Sequence, residues 1–124
     1  MGRIFLCIAA ILGGVGVTLG AVGTHSLKTQ LSQGSLVIFE TGIRYQMYHA
    51  LGLLFIGLLL LHSESPPSLL VAAGGAFVLG TLIFSGSLYG LSLTGLNGLG
   101  AMTPVGGVAL ILGWGCLALA VWKT

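Results

Sequence analysis

The side chains able to do acid–base or hydrogen-bond chemistry gather in four short stretches. Thr24 and His25 close one apolar run, and Glu40, Thr41, Arg44, Tyr45, Gln46, Tyr48 and His49 open the next. Ser85, Ser87 and Tyr89 close a third, and Asn97 and Thr103 precede a fourth. On a helix, Glu40, Arg44 and Tyr48 stack at i, i+4 and i+8, and Tyr45 and His49 form a neighbouring row. The Glu40–Arg44 spacing is that of a favourable ion pair, expected to neutralise both charges where the helix enters a membrane. His49 lies one to two turns deeper, at about 1.5 Å per residue, and is expected to hydrogen-bond between helices, as are Gln46 and the tyrosine hydroxyls. His25 is expected to cap the first helix at its C-terminus, where the dipole favours positive charge.

His25, Glu40, Arg44, Tyr45, Gln46, His49, Ser85, Ser87 and Tyr89 thus form one candidate polar cluster, either a ligand site or a structural network. Tyr45, Tyr48 and Tyr89, with Trp114 and Trp122, also suit an interfacial aromatic belt. A haem held by His25 and His49 would need the two at one depth, which the spacing denies, so no cofactor is expected. There is no HExxH motif, no nucleophile elbow and no group of residues at metal-ligand spacing, so neither an enzyme nor a metal site is expected.

The elements that must position these residues follow from composition. Hydrophobic residues make up 56% of the 124, charged residues 5%, and the mean hydropathy is +1.11. Soluble domains carry about 25% charged residues. Arg3, Lys28, Glu40, Arg44, Glu64 and Lys123 cannot cover a water-facing surface, so a soluble or disordered chain is excluded. The net charge of +2 is too small and scattered for a nucleic-acid surface. A membrane helix needs roughly 20 apolar residues, and four such runs are present, at about 4–24, 43–61, 69–91 and 104–122. The runs are continuous rather than alternating, which disfavours a β-barrel. The reading is an all-α, glycine-rich integral membrane four-helix bundle in one domain, antiparallel up-down-up-down, with the bilayer as its first partner. Helix direction alternates, so all four polar stretches fall on one side of the membrane.

The first run, with Arg3 before it and Ala21-Val22-Gly23 near its end, has signal-peptide features but is long for an h-region and is expected to remain a span. Cys7 and Cys116 fall within spans and read as free apolar thiols. Arg3 and Lys123 lie on the side of the termini, Lys28 and Arg44 on the other. With Arg44 cancelled by Glu40, the termini side is expected to face the cytoplasm. Glycine occurs 22 times. Gly16 with Gly20, Gly86 with Gly90, and Gly113 after Ala109 have the small-xxx-small spacing that lets membrane helices approach, and are expected to pack helix on helix.

The polar stretches also carry a resemblance. Gly20-Ala21-Val22-Gly23-Thr24-His25-Ser26-Leu27 resembles a GAFGAHGL-type signature. Phe39-Glu40-Thr41-Gly42, Tyr45-Gln46 and His49-Ala50-Leu51 follow the pattern, as do Ser85-Gly86-Ser87-Leu88-Tyr89, Thr103-Pro104-Val105-Gly106-Gly107 and Gly113-Trp114. Thr24 and Gly42 stand where alanine is usual, and Ser26 where glycine is usual. Together these resemble the domain-of-unknown-function family that includes animal transmembrane protein 256 and many small bacterial inner-membrane proteins. The resemblance implies a four-helix membrane protein and supplies no activity. The expected function is an accessory or interacting subunit of a larger membrane assembly, or of a self-associating one, in the inner membrane of a bacterium. The alternative is a small solute, ion or lipid binding or transport protein with its site at the polar end. A cavity at that end favours the alternative, and full pairing of the cluster disfavours it.

Overall fold

The computed structural model describes residues 1–124. Four long helices, α1 (Gly2–His25), α2 (Gln33–Leu61), α3 (Ser68–Thr94) and α5 (Thr103–Trp122), are joined by short connections, the last containing the single turn α4 (Asn97–Gly100). Apolar runs of this length become helices because helix formation satisfies every backbone group within the segment, as hydrocarbon requires. All four are long and apolar enough to cross a membrane. The chain is an all-α membrane four-helix bundle.

The ends follow local rules. Ser32 caps α2 by accepting from the Ser35 backbone N–H at 3.1 Å. Pro67 precedes α3, and Pro104 sits in the first turn of α5, where no N–H is missed. Gly95 ends α3 at φ +73°, a left-handed cap that favours glycine. The largest departure from the sequence expectation is the start of α2, ten residues before the predicted span boundary. With its 29 residues, α2 is about 44 Å long and exceeds a hydrocarbon layer of about 30 Å. Counting about 30 Å back from Leu61 reaches residue 41. Glu40 and Arg44 therefore flank the boundary, and His49 sits close to the middle of the layer.

The packing order is α1 on α2, α2 on α3, and α3 on α5, with neighbours antiparallel. α2 and α3 are central, while α1 and α5 lie at opposite margins with most of their surface outward. Phe5, Ala9, Leu53, Ile56, Leu60, Leu70, Ala73, Phe77, Leu110 and Ala120 make one continuous core. Its hub is Phe77 of α3, fully buried against two glycines. A Cβ on Gly52 would lie 2.8 Å from its ring and one on Gly113 2.7 Å from it.

The seams are built on small residues at a spacing of seven. On α1 the buried positions include Gly2, Ala9, Gly16 and Gly23. On α3 they include Ala73, Gly80 and Ser87, and on α5 Gly106, Gly113 and Ala120. A seven-residue repeat keeps one face toward a neighbour in left-handed packing, whereas a step of four turns about 40° away from it. This corrects two expected packing glycines. A Cβ on Gly20 or Gly86 would meet no atom of another helix within 4 Å, so neither position is a close helix contact, although Gly16 and Gly90 do have close neighbours. Gly16 lies under Met47 and Gln46 of α2, Gly90 faces Leu99 of α4, and Gly113 packs as expected.

Candidate functional site

Gln46 is the centre of the polar network and is almost fully buried. Its Nε2 donates to the Leu12 carbonyl of α1 at 2.7 Å, and its Oε1 accepts from the Tyr89 hydroxyl of α3 at 2.6 Å. One side chain thus ties three helices. Gly16 makes this possible, since a Cβ there would sit 3.4 Å from Gln46 Nε2 and collide with Met47. Gly42 plays the same part for Tyr89, whose ring would lie 2.7 Å from an added Cβ. Beside them Ser85 Oγ donates to the Gly42 carbonyl at 2.7 Å, and Phe39 packs on the Tyr89 ring at 5.2 Å.

A second link runs through His49. Trp114 Nε1 of α5 donates to His49 Nε2 at 3.0 Å, while His49 Nδ1 lies 2.6 Å from the Tyr45 carbonyl. An indole N–H only donates and a carbonyl only accepts. His49 must therefore be the neutral tautomer with its proton on Nδ1, and both ring nitrogens are engaged. Phe77 meets the imidazole edge-on at 5.1 Å, and Tyr45 packs on Phe84 at 4.6 Å. A third link joins α3 to α5. Ser87 donates to the Phe84 carbonyl at 2.8 Å, which leaves Thr103 to donate to Ser87 Oγ at 2.6 Å. In a bilayer such bonds count because no water competes for these groups.

The structure thus brings together Tyr45, Gln46, His49, Ser85, Ser87 and Tyr89, and sets His25, Glu40 and Arg44 apart on the exposed rim. The expected Glu40–Arg44 pair is not made. Arg44 donates instead to Thr41 Oγ1 of its own helix at 3.2 Å, and Glu40 projects free of it. At a water-facing rim, ordering two long side chains offsets most of the Coulomb gain, so the spacing alone does not close the pair. With Arg44 not neutralised, two cations stand on each side, and the expected orientation loses its basis.

Trp114 was expected in an interfacial belt, as was Tyr89, and both belong to the network. Trp114 lies eleven residues into α5, about 17 Å from its start, too deep for a belt. Its signal was present in the sequence: an indole deep in a span needs an acceptor, and His49 is at matching depth. Trp122, largely exposed at the end of α5, does suit a belt.

A cleft of about 530 Å³ beside α5 is lined by Tyr45, Tyr48, His49, Phe84 and Trp114, and two further clefts lie at the network and its rim. One, of about 330 Å³ between α1 and α3, is lined by Gln46, Thr81, Ser85 and Tyr89 with leucines and a valine, and Thr81 Oγ1 is buried without a hydrogen-bond partner. The other, of about 290 Å³ at the polar end between α1 and α2, is lined by Gly20, Gly23, Thr24, Glu40, Ile43 and Arg44.

The chain is similar over nearly its whole length to several bacterial proteins named as membrane proteins. A UPF0382 membrane protein of Staphylococcus epidermidis is 42% identical, over 98% of this chain and 97% of its own. UPF0382 membrane protein YwdK of Bacillus subtilis is 40% identical over 98% of each chain. A Haemophilus influenzae UPF0382 membrane protein is 33% identical over 97% of this chain and 94% of its own. No solved structure matches the chain. The model of the family described as "Protein of unknown function (DUF423)" matches residues 19–107, and the chain belongs to that family of small membrane proteins.

Proposed function

We propose that this protein is a non-catalytic, multi-pass subunit that associates with other membrane proteins in a bacterial cytoplasmic membrane. The observation that supports this reading is that the polar side chains at the centre of the spans are paired across helices, Gln46 with Leu12 and Tyr89 and His49 with Trp114. His49 is paired with an indole and a backbone carbonyl rather than with a carboxylate or a nucleophile, which favours a structural role over acid–base work. The bacterial relatives support the cellular setting.

A small-residue row on the outward surface supports the reading. α1 exposes Ala10, Gly14 and Thr18 at i, i+4 and i+8, a small-residue row used by no helix of this chain. The test is purification of the tagged protein from native membranes in mild detergent, beside G14L. A Cβ at Gly14 meets no atom of another helix within 4 Å and the position is exposed, so G14L is expected to keep the fold while filling the row. A partner at fixed stoichiometry, lost in G14L, is the expected result. A chain that migrates alone, or a partner indifferent to G14L, refutes the reading. The second reading, a small-molecule or lipid binder, is favoured by the cleft beside Glu40 and Arg44.

A further inference from the structure

We propose that the polar-end cleft between α1 and α2 binds a zwitterion whose anionic end is a phosphate and whose cationic end is a primary ammonium, and that its source is an aminophospholipid headgroup. Glu40 and Arg44 both line this cleft of about 290 Å³. Their i, i+4 spacing favours a mutual pair, yet none forms, and Arg44 spends a single N–H on Thr41. The cleft therefore offers a carboxylate and a guanidinium as separate recognition points.

The order of the two charges matches such a headgroup. α2 runs inward from Gln33, so Glu40 is the outer charge and Arg44 lies about 6 Å further along the helix toward the hydrocarbon. In a bilayer the phosphate of an aminophospholipid lies on the hydrocarbon side and its ammonium on the water side. Arg44 then meets the phosphate, for which its planar fork of donors is suited, and Glu40 accepts from the ammonium. A choline headgroup cannot donate to Glu40, and a glycerol headgroup brings no cation to it.

Gly20 gives the cleft its room. A Cβ there meets nothing within 4 Å, so this glycine is not required by helix packing and its position borders open space in the cleft. Thr24, one turn on, turns its hydroxyl back to the Gly20 carbonyl at 2.9 Å. The inference does not depend on the subunit reading, because a lipid site and a partner-binding face occupy different surfaces of α1.

The test is native mass spectrometry of the full-length purified protein in micelles doped with phosphatidylethanolamine, phosphatidylcholine or phosphatidylglycerol. Retention of the ethanolamine lipid is expected to exceed that of the other two by about fivefold, the upper end for one exposed ion pair. E40Q is expected to abolish that preference, R44Q to weaken all three lipids, and G20L to exclude the ethanolamine lipid with helicity and melting temperature unchanged. Equal retention of the three lipids, or a preference unmoved by E40Q and R44Q, overturns the proposal. A wash with free phosphoethanolamine separates the sources. At equal concentrations of the lipid and the free zwitterion, retention of the lipid upholds the headgroup, and preferential retention of free phosphoethanolamine overturns the lipid source. If G20L fails to fold, the two charge variants still decide the outcome.

Discussion

Adding a single methyl group at Gly106 should damage the bundle more than adding one at Gly86. A Cβ on Gly106 would lie 2.5 Å from the Phe84 backbone nitrogen and 2.8 Å from its Cα, where ordinary contact begins at 3.4 Å. The obstacle is the α3 backbone, which no rotamer change can move aside. The helices must part locally by about 0.9 Å, the difference between 3.4 and 2.5 Å. The same seam holds Gly80 against Leu110 and Gly113 against Phe77. A gap of 0.5–1 Å forfeits roughly a quarter to a half of each dispersion contact. Overpacking of this kind costs about 1–3 kcal/mol. In G86A the new methyl meets nothing within 4 Å, so that variant is expected to be neutral or slightly more stable through helix propensity. Reversible unfolding in mixed micelles, followed by far-ultraviolet circular dichroism, measures both. Equal stabilities of G106A and G86A would refute the assignment of α3–α5 as a backbone-contact seam.

Two further outcomes follow from the network. W114F removes the only donor to His49 Nε2 and should cost about 0.6–1.7 kcal/mol in the same unfolding assay, the range for interhelical hydrogen bonds in membranes; nitrogen NMR should find the wild-type His49 proton on Nδ1, and a proton on Nε2 would contradict the geometry. Q46L removes the one side-chain hydrogen bond that ties α1 to the other helices, and double electron–electron resonance between spin labels at Val17 and Val37 should then show a broadened distance distribution in place of one narrow peak; an unchanged peak would mean that packing alone fixes α1.

How much of this was legible in the sequence depended on which signal was read. Spans of about 20 apolar residues in a chain with six charges leave little choice of fold, and the alternation of helix direction gathers the polar stretches toward one end, from which His49 reaches toward the middle of the layer. The start of α2 was hidden because Gln33–Gly42 is not apolar enough to read as a span, although Ser32 three residues before Ser35 is an N-cap signal. A spacing of four among the glycines picks out Gly20 and Gly86. The working seams repeat every seven, as Gly2–Ala9–Gly16–Gly23 and Gly106–Gly113–Ala120 do. The Glu40–Arg44 pair failed because i, i+4 spacing permits a contact without specifying it, and Thr41 was a nearer acceptor. The Trp114–His49 bond lay beyond reach of local pattern, since it joins residues 65 apart.

Small-residue seams bring helices close but specify little about their relative height. In a bilayer, apolar burial does not drive helix association, because lipid tails are as apolar as leucine. A seam of glycines and alanines every seven residues presents nearly the same surface after a slide of one repeat, about 10 Å. What distinguishes the native height is the polar set. Gln46 reaches both Leu12 and Tyr89, and His49 reaches Trp114, at one alignment only. At any other height, buried amide, phenol and imidazole groups would face hydrocarbon without partners, at a cost of several kcal/mol each. The pairs that fix register are closed, with the His49 imidazole engaged at both nitrogens, while Thr81 Oγ1 beside them stays without a partner. The residues still free to recognise a partner, Glu40 and Arg44, are those the register does not need.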